Sequence, residues 1–205
     1  MPNSNFFARL GLFVVEDFFD ESMCDLLRCE MAAGNHTQAK IVAGTTGLEK
    51  VNAVVRSTKD VNVSTATAAL VESRLRLLKP KLESHFNLTL DDCEKPQFLT
   101  YQPGDFFRPH RDGDDDPRKP EYISKRRVSL IVFLNNESGE CRPETGTYSG
   151  GSLTLYGLIN KPQWSKYGFK MSGKAGVLIA FRSEMFHEVT AVTAGERHTI
   201  ASWFF

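Results

Sequence analysis

His110 and Asp112 stand one residue apart in the stretch TYQPGDFFRPHRDG, residues 100–113. Both are metal ligands by type, a neutral imidazole offering nitrogen and a carboxylate offering oxygen. The segment before them is apolar and aromatic-rich, as a strand would be. On a strand successive side chains alternate faces, so His110 and Asp112 point one way and Arg111 the other. One imidazole and one carboxylate on a shared face are two members of the 2-His-1-carboxylate set that holds non-heme Fe(II) with open positions. The pair alone is a weak signal, because H-x-D recurs by chance, and by itself it reads first as a surface histidine beside a solvated carboxylate. A third ligand must come from elsewhere, and His187 in EMFHEVTAV is the candidate.

The chain that must position these groups has 205 residues, 41% of them hydrophobic and 24% charged, which suits one globular domain with a sizeable core. Its 25 basic and 25 acidic residues balance, so no nucleic-acid partner is indicated. Its 15 phenylalanines fit an aromatic-packed, β-rich core. Cys24, Cys29, Cys93 and Cys141 form neither a C-x-x-C pair nor a zinc spacing, so free thiols in a reducing, cytoplasmic setting are expected. The N-terminus MPNSNFFARLGLFVVEDFF lacks a basic start and a small-residue cleavage site, and no stretch approaches the roughly 18 apolar residues of a membrane span. No membrane partner is expected, and nothing in the sequence bears on oligomeric state.

In chain order, residues 10–15 read as a strand and 21–31 as a helix, with Met23, Leu26 and Leu27 on its apolar side. Residues 34–60 are irregular, with a short β-like piece at 51–56. Ser64 or Thr65 caps a long helix over about residues 66–86 with an apolar stripe of Leu70, Leu75, Leu78 and Leu82, which Pro80 kinks or divides. His85 near its end reads as a polar terminus. From residue 95 the chain turns β-rich: strands at 97–102, 106–112, 128–134, SLTLYG, VLIAF and 197–205. The charge-dense stretch 113–127 reads as a solvated loop, and its place after the metal pair makes it a candidate lid. Residues 135–150 read as a second long polar loop. Helices first and then about eight strands describe a mainly β fold with supporting α-helices, an antiparallel sandwich or jelly roll. One domain is expected over 1–205, with a strand and helical support over 1–94 and the jelly-roll core over 95–205.

Such a jelly roll carries His187 across from the strand of His110 and Asp112, completing the set on iron with neighbouring positions open. A chelating oxo-acid and dioxygen need that openness. A 2-oxo acid with a distal carboxylate also needs a fixed cation deep in the barrel, and Arg197 suits it, because guanidinium is always charged and binds carboxylate through paired hydrogen bonds. Thr199 shares its strand face, and Tyr101 could bring a phenol to the same carboxylate. Tyr101 and Thr199 read equally as core residues. Arg197 reads also as a surface cation and His187 as a satisfied core histidine, although an arginine entering an apolar strand wants a partner. His198, opposite Arg197, and His36 read as structural. Arg126 or Arg127, at the entrance to strand 128–134, either binds substrate or solvates the strand end.

Taken in order, Y-x-P-G-x-F-F-x-P-H-x-D, R-x-S-L-I-V-F-L-N, G-G-x-L-T-L-Y and F-x-x-x-x-x-H-E-V-x-x-V-x-x-G-x-R-x-x-x-x-x-W-F resemble the Fe(II)/2-oxoglutarate dioxygenases of the prolyl 4-hydroxylase-like group. The match spans residues 95–205 and implies a double-stranded β-helix. The resemblance implies Fe(II) on His110, Asp112 and His187, 2-oxoglutarate on Arg197, O2 as oxidant and ascorbate as a candidate reductant. It implies decarboxylation to succinate and CO2 coupled to hydroxylation of an unactivated C–H bond. The expected substrate is a prolyl or other residue in a peptide or protein, with a free amino acid or small metabolite as the alternative. Many prolyl hydroxylases carry lysine at the anchor, whereas arginine is like the oxygen-sensing branch. That branch sets a tyrosine hydroxyl near the oxo-acid where this chain has Phe133, so Tyr101 and Thr199 would carry more. Asp112 argues against the related halogenases. The stretches 113–127 and 135–149, where such enzymes choose substrates, match nothing. A non-catalytic sensor that keeps the barrel, and a cupin-type metal-binding jelly roll, stand as competitors. The complete ligand set argues against the first, and the small number of well-placed histidines against the second.

Overall fold

The computed structural model describes residues 4–43, 48–114, 119–140, 144–159, 161–164 and 166–205. The first part of the chain holds α1 (Ser4–Arg9), β1 (Phe13–Val15), α2 (Glu21–Ala33), β2 (His36–Gln38), β3 (Ile41–Ala43), β4 (Leu48–Lys50), β5 (Arg56–Ser57), β6 (Lys59–Val61), α3 (Thr65–Arg76) and α4 (Lys79–Phe86). The second part holds β7 (Gln97–Tyr101), β8 (Phe106–His110), α5 (Glu121–Lys125), β9 (Val128–Phe133), β10 (Tyr148–Gly150), β11 (Leu153–Tyr156), β12 (Gly168–Met171), β13 (Leu178–Arg182), β14 (His187–Val189), β15 (Val192–Gly195) and β16 (Arg197–Phe204). The fold is mainly β with supporting helices, as the strand count and the helices at the start of the chain suggest.

Two antiparallel sheets face each other. The larger runs β1-β13-β9-β16-β7-β6-β2 and the smaller β12-β11-β14-β8-β5. Both faces of the large sheet are covered, which explains why VSLIVFL and VLIAF are apolar without alternation. Its outer face carries Phe98, Val128, Leu130, Val132, Leu178, Ala180, Ile200 and Phe204 against the helices. Its inner face carries Leu99, Tyr101, Ile131, Phe133, Ile179, Phe181, Ala201 and Trp203 toward the small sheet. The register Thr199↔Leu99 and Thr199↔Phe133 lines these inner rows up across three strands.

The helices buttress the outer face. Asp20 caps α2 by accepting from the Met23 amide, and Ser64 caps α3 by accepting from the Thr67 amide. Glu30 of α2 takes the Ser64 amide at 2.5 Å and the Thr67 hydroxyl at 2.6 Å, tying one helix to the start of the next. Pro80 divides the predicted long helix rather than kinking it: α3 stops at Arg76 and the proline sits in the first turn of α4, where its missing N–H costs nothing. The buried faces keep Leu27, Leu75, Leu78 and Leu82 of the predicted positions and lose Leu26 and Leu70. Cys24, Leu27 and Met31 face inward from α2, and Val71, Leu75, Leu78 and Leu82 from α3 and α4, while Leu26 is 65% exposed and Leu70 is 40% exposed.

Other expectations are corrected. The β-like piece at 51–56 is a turn that leads into β5, and the strand predicted from residue 10 begins at Phe13 after α1. The stretch 113–127, expected as a loop and candidate lid, contains α5, and its residues 115–118 lie outside the described residues. Cys141 also lies outside the described residues, and Cys24, Cys29 and Cys93 are free thiols. Among the described residues no helix is long and apolar enough to cross a membrane.

Candidate metal centre and its pocket

Strand register assembles the three candidate ligands. In the small sheet β14 lies against β8 with His187 opposite His110, and a register shift follows between His187 and Val189. Asp112 lies two residues beyond the end of β8. Its amide donates to the Ser183 carbonyl at 3.0 Å, and the Gly113 amide donates to the same oxygen at 2.9 Å. These bonds turn the chain off the small sheet, so Asp112 shares a face with His110 by a bend rather than by strand alternation.

Each ring is set by its second nitrogen. His110 Nδ1 lies 2.8 Å from the Arg108 carbonyl and His187 Nδ1 lies 2.9 Å from the Met185 carbonyl. A nitrogen bonding a carbonyl must carry the proton, which leaves Nε2 as the lone-pair donor on both rings. Both Nε2 atoms lie 3.4 Å from the Asp112 carboxylate, and the three ligand atoms lie within 4.8 Å of one another. Phe107 stacks on His110 at 3.5 Å and Phe181 meets His187 edge-on at 4.8 Å. Ser129 of β9 donates to Asp112 Oδ2 at 2.7 Å and lies 3.0 Å from the Ser183 hydroxyl.

Burial opposes the Asp112 charge, but His187 and His110 outweigh it and hold the carboxyl well below the usual carboxylate range. Burial also opposes a charged His187, and Asp112 outweighs it, raising that imidazole. His110 is lowered by burial and by the neighbouring His187. Two neutral nitrogen donors and one carboxylate around a shared point fit the donor set of non-heme Fe(II).

The second feature lies deeper between the sheets. Arg197 opens β16 opposite Tyr101 of β7 and is 1% exposed. Its guanidinium lies 4.9 Å from the Tyr101 ring and 5.3 Å from the Phe133 ring, and Nη1 donates to the Thr199 hydroxyl at 3.1 Å. Among the described residues no acid pairs with it, and its Nε has no partner. A buried cation without an anion is costly, and an anionic group at this end of the interior would offset that cost. Thr199 accepts from Arg197 and keeps its own proton to donate.

Between the metal ligands and the surface lies a cavity of about 410 Å³, lined by Gln97, Leu99, Tyr101, Ile131, Ala201 and Trp203 among others. Arg126 lines it, bound to Glu94 by two bonds of 2.6 Å and lying 3.8 Å from the Trp203 ring. Arg127 is exposed and does not line it. Lys119, Tyr122 and Ile123 bring 113–127 to the mouth, whereas no described residue of 135–149 lines the cavity. That second loop serves the other end: the Asn135 amide group donates to the Gly146 and Glu196 carbonyls, just before Arg197.

Sequence reasoning missed Ser129, Gln97, Trp203 and Tyr148. Trp203 was findable, because Arg197, Thr199, Ala201 and Trp203 alternate onto one face of one strand. Gln97 Oε1 and Trp203 Nε1 are buried and unpartnered. His198 faces away from Arg197, with Nδ1 3.2 Å from the Thr100 hydroxyl, and His36 Nε2 lies 3.0 Å from the Met31 carbonyl, so both are structural. His85 packs between Phe13 and Phe86.

The family model of the 2OG-Fe(II) oxygenase superfamily matches residues 96–205. A putative prolyl 4-hydroxylase of Acanthamoeba polyphaga mimivirus is 22% identical over 211 residues, spanning 94% of this chain and 73% of that protein. Among solved structures, a prolyl-4-hydroxylase of Pseudomonas putida superimposes with a TM-score of 0.67 at 21% identity, covering 95% of this chain and 91% of that one. A prolyl hydroxylase of Trichoplax adhaerens, in complex with a hypoxia inducible factor oxygen degradation domain peptide fragment, gives a TM-score of 0.69 at 20% identity, covering 98% and 88%. At these identities the likeness is one of fold.

Proposed function

Because the chain belongs to the 2OG-Fe(II) oxygenase superfamily, we propose that it hydroxylates a prolyl or other residue in a peptide or protein, with His110, Asp112 and His187 holding iron and Arg197 holding 2-oxoglutarate. When bound, Fe(II) with 2-oxoglutarate and O2 supplies the chemistry: the oxo-acid becomes succinate and CO2, and one oxygen atom enters a substrate C–H bond. The single observation that carries the assignment is that the ligand cluster and the Tyr101 ring line one cavity, and that Arg197, buried with no acid beside it among the described residues, lies against that same ring.

The chain's own residues divide the work. Asp112 brings the negative charge, and Ser129 fixes its carboxylate. Carbonyl bonds to both Nδ1 atoms hold the rings in the ligating tautomer. Arg197 and Thr199 offer donors to the distal carboxylate, and Tyr101 walls that end. Leu99, Ile131, Leu153 and Val189 give the cavity an apolar lining that excludes water. At the mouth Arg126 is held by Glu94 over Trp203.

Gln97 Oε1 and Trp203 Nε1 support a peptide substrate. One is an unpaired acceptor and the other an unpaired donor, the complement of a peptide group's N–H and C=O.

The test is an anaerobic titration of metal-free protein with Fe(II) and then 2-oxoglutarate, following the visible charge-transfer band of the chelate. One band per chain is expected, lost in His110→Ala and Asp112→Ala. Absence of the band from the wild type overturns the cofactor assignment. Succinate release is then screened against proline-containing peptides and against free amino acids. Turnover with free amino acids alone would replace the peptide reading by the metabolite one.

A further inference from the structure

Two buried polar atoms at the deep end of the interior have no partner: Nε of Arg197 and the hydroxyl of Tyr148. Arg197 is 1% exposed and Tyr148 is 0% exposed. Tyr148 reaches this place from β10, which pairs with β15 so that Tyr148 stands opposite Gly195, two residues before Arg197. Glycines record how closely the two side chains meet. A Cβ on Gly151 would come within 3.0 Å of Arg197 Cδ and 3.4 Å of Tyr148 Cε2. A Cβ on Gly173 would stand 2.0 Å from the Tyr148 hydroxyl and 2.9 Å from Phe133 Cδ1. The phenol tip and the Phe133 ring therefore share one corner beside the guanidinium. Burial pushes the phenol up to about 12 and the Glu137 charge adds to the rise; the Arg197 charge and its contact with the phenol oxygen partly offset this, so the group is neutral and keeps its O–H to donate.

A buried cation without an acid, next to a buried phenol without an acceptor, is half of a binding site. An anion with two oxygens satisfies both: one takes the guanidinium, the other the O–H. Thr199 completes the cradle. We propose that Tyr148 binds the co-substrate, its phenol donating to the distal carboxylate that Arg197 holds and selecting for an oxo-acid that carries one. This rests on the reading that Arg197 anchors 2-oxoglutarate.

The experiment uses the Fe(II)-loaded protein without oxygen, titrated with 2-oxoglutarate and with 2-oxopentanoate, which has the same chain length and no distal carboxylate. Binding is read from the visible band and by calorimetry. Tyr148→Phe is expected to weaken 2-oxoglutarate tenfold or more and to leave 2-oxopentanoate and Fe(II) binding unchanged. Phe133→Tyr in the Tyr148→Phe background returns a phenol to the same corner and should recover most of the loss. Gly173→Ala, whose Cβ displaces the hydroxyl, is the second variant and should weaken 2-oxoglutarate in the same selective way. If Tyr148→Phe and Gly173→Ala bind 2-oxoglutarate like the wild type, or weaken both oxo-acids alike, the role of Tyr148 is overturned. If the wild type forms no band, or Arg197→Ala leaves 2-oxoglutarate affinity unchanged, the anchor reading itself falls.

Discussion

His187 faces His110 directly across the β8–β14 ladder, so a strand pairing, and not a loop, sets the spacing of the two candidate nitrogen ligands. Their rings are tilted, with centroids 4.2 Å apart, and the Asp112 carboxylate closes the group from a bend past the strand end. A site on a ladder is rigid before any metal arrives, and this has measurable results.

Removing His110, His187 or Asp112 should abolish Fe(II) binding while the far-ultraviolet circular dichroism spectrum stays that of the wild type. Alanine at Asp112 should cost more than the roughly 10–100-fold that losing an outer partner costs. Retained stoichiometric iron in any of the three would remove that residue from the ligand set.

Ser129→Ala tests the outer partner itself. The hydroxyl holds Asp112 Oδ2 at 2.7 Å. Its loss should lower Fe(II) affinity by about 10–100-fold and leave 2-oxoglutarate selectivity intact. An unchanged affinity would mean that the Ser129 hydroxyl does not set the carboxylate for the metal.

Glu94→Gln separates substrate from co-substrate. Glu94 fixes Arg126 over Trp203 from outside the cavity lining. A partly exposed ion pair is worth up to about 1 kcal/mol, so the substrate KM should rise about 2- to 5-fold. The KM for 2-oxoglutarate should not move; a shift there would place Arg126 in the wrong part of the cavity.

The helical buttress can be tested by two leucines. Leu75 is 0% exposed and Leu26 is 65% exposed. Leu75→Ala should cost about 2–5 kcal/mol in urea unfolding, and Leu26→Ala should stay within about 0.5 kcal/mol. Similar losses from both would contradict the packing of α2 and α3.

His198 gives an acid-sensitivity prediction. Burial drives its imidazole down to about 4; Glu196, 3.7 Å away, opposes this, while Arg28, His36 and Arg197 add to the lowering. A folded value below the unfolded one near 6.5 means that the unfolded chain takes up the proton first. The penalty is absent above pH 6.5, grows as pH falls, and is complete below pH 4. Between pH 7 and 4.5 the wild type should lose about 2.5 kcal/mol more stability than His198→Gln. Parallel pH profiles for the two proteins would show that His198 is solvated.

The parts of this arrangement that were legible are those with a strong period or a rare pairing. His110, His187 and Arg197 could be read because apolar strands flank them, whereas Asp112 reaches the face of His110 through the bend past β8 and not through the alternation its spacing suggested. Helix faces were read less well. Met23, Leu26 and Leu27 look as apolar as Cys24, Leu27 and Met31, and only the sheet beneath chooses between them. Leu70 and Val71 pose the same ambiguity one residue apart. Tyr148 was hidden because it sits in a polar stretch with no period, brought to Arg197 by pairing with β15. The helix EYISK is too short for its spacing to stand out from the charges around it.

One strand, β16, carries Arg197, Thr199, Ala201 and Trp203 on its inner face, from the buried anchor to the cavity lining. At about 3.3 Å per residue it is a ruler of fixed marks. A single-residue insertion within it would turn every mark after the insertion to the helical side at once. Descendants of this protein can therefore change what enters at the mouth, or which oxo-acid sits at the base, by exchanging residues at either end. Altering the interval between the two is closed to them by small steps, and the length of the reacting assembly is inherited with the strand.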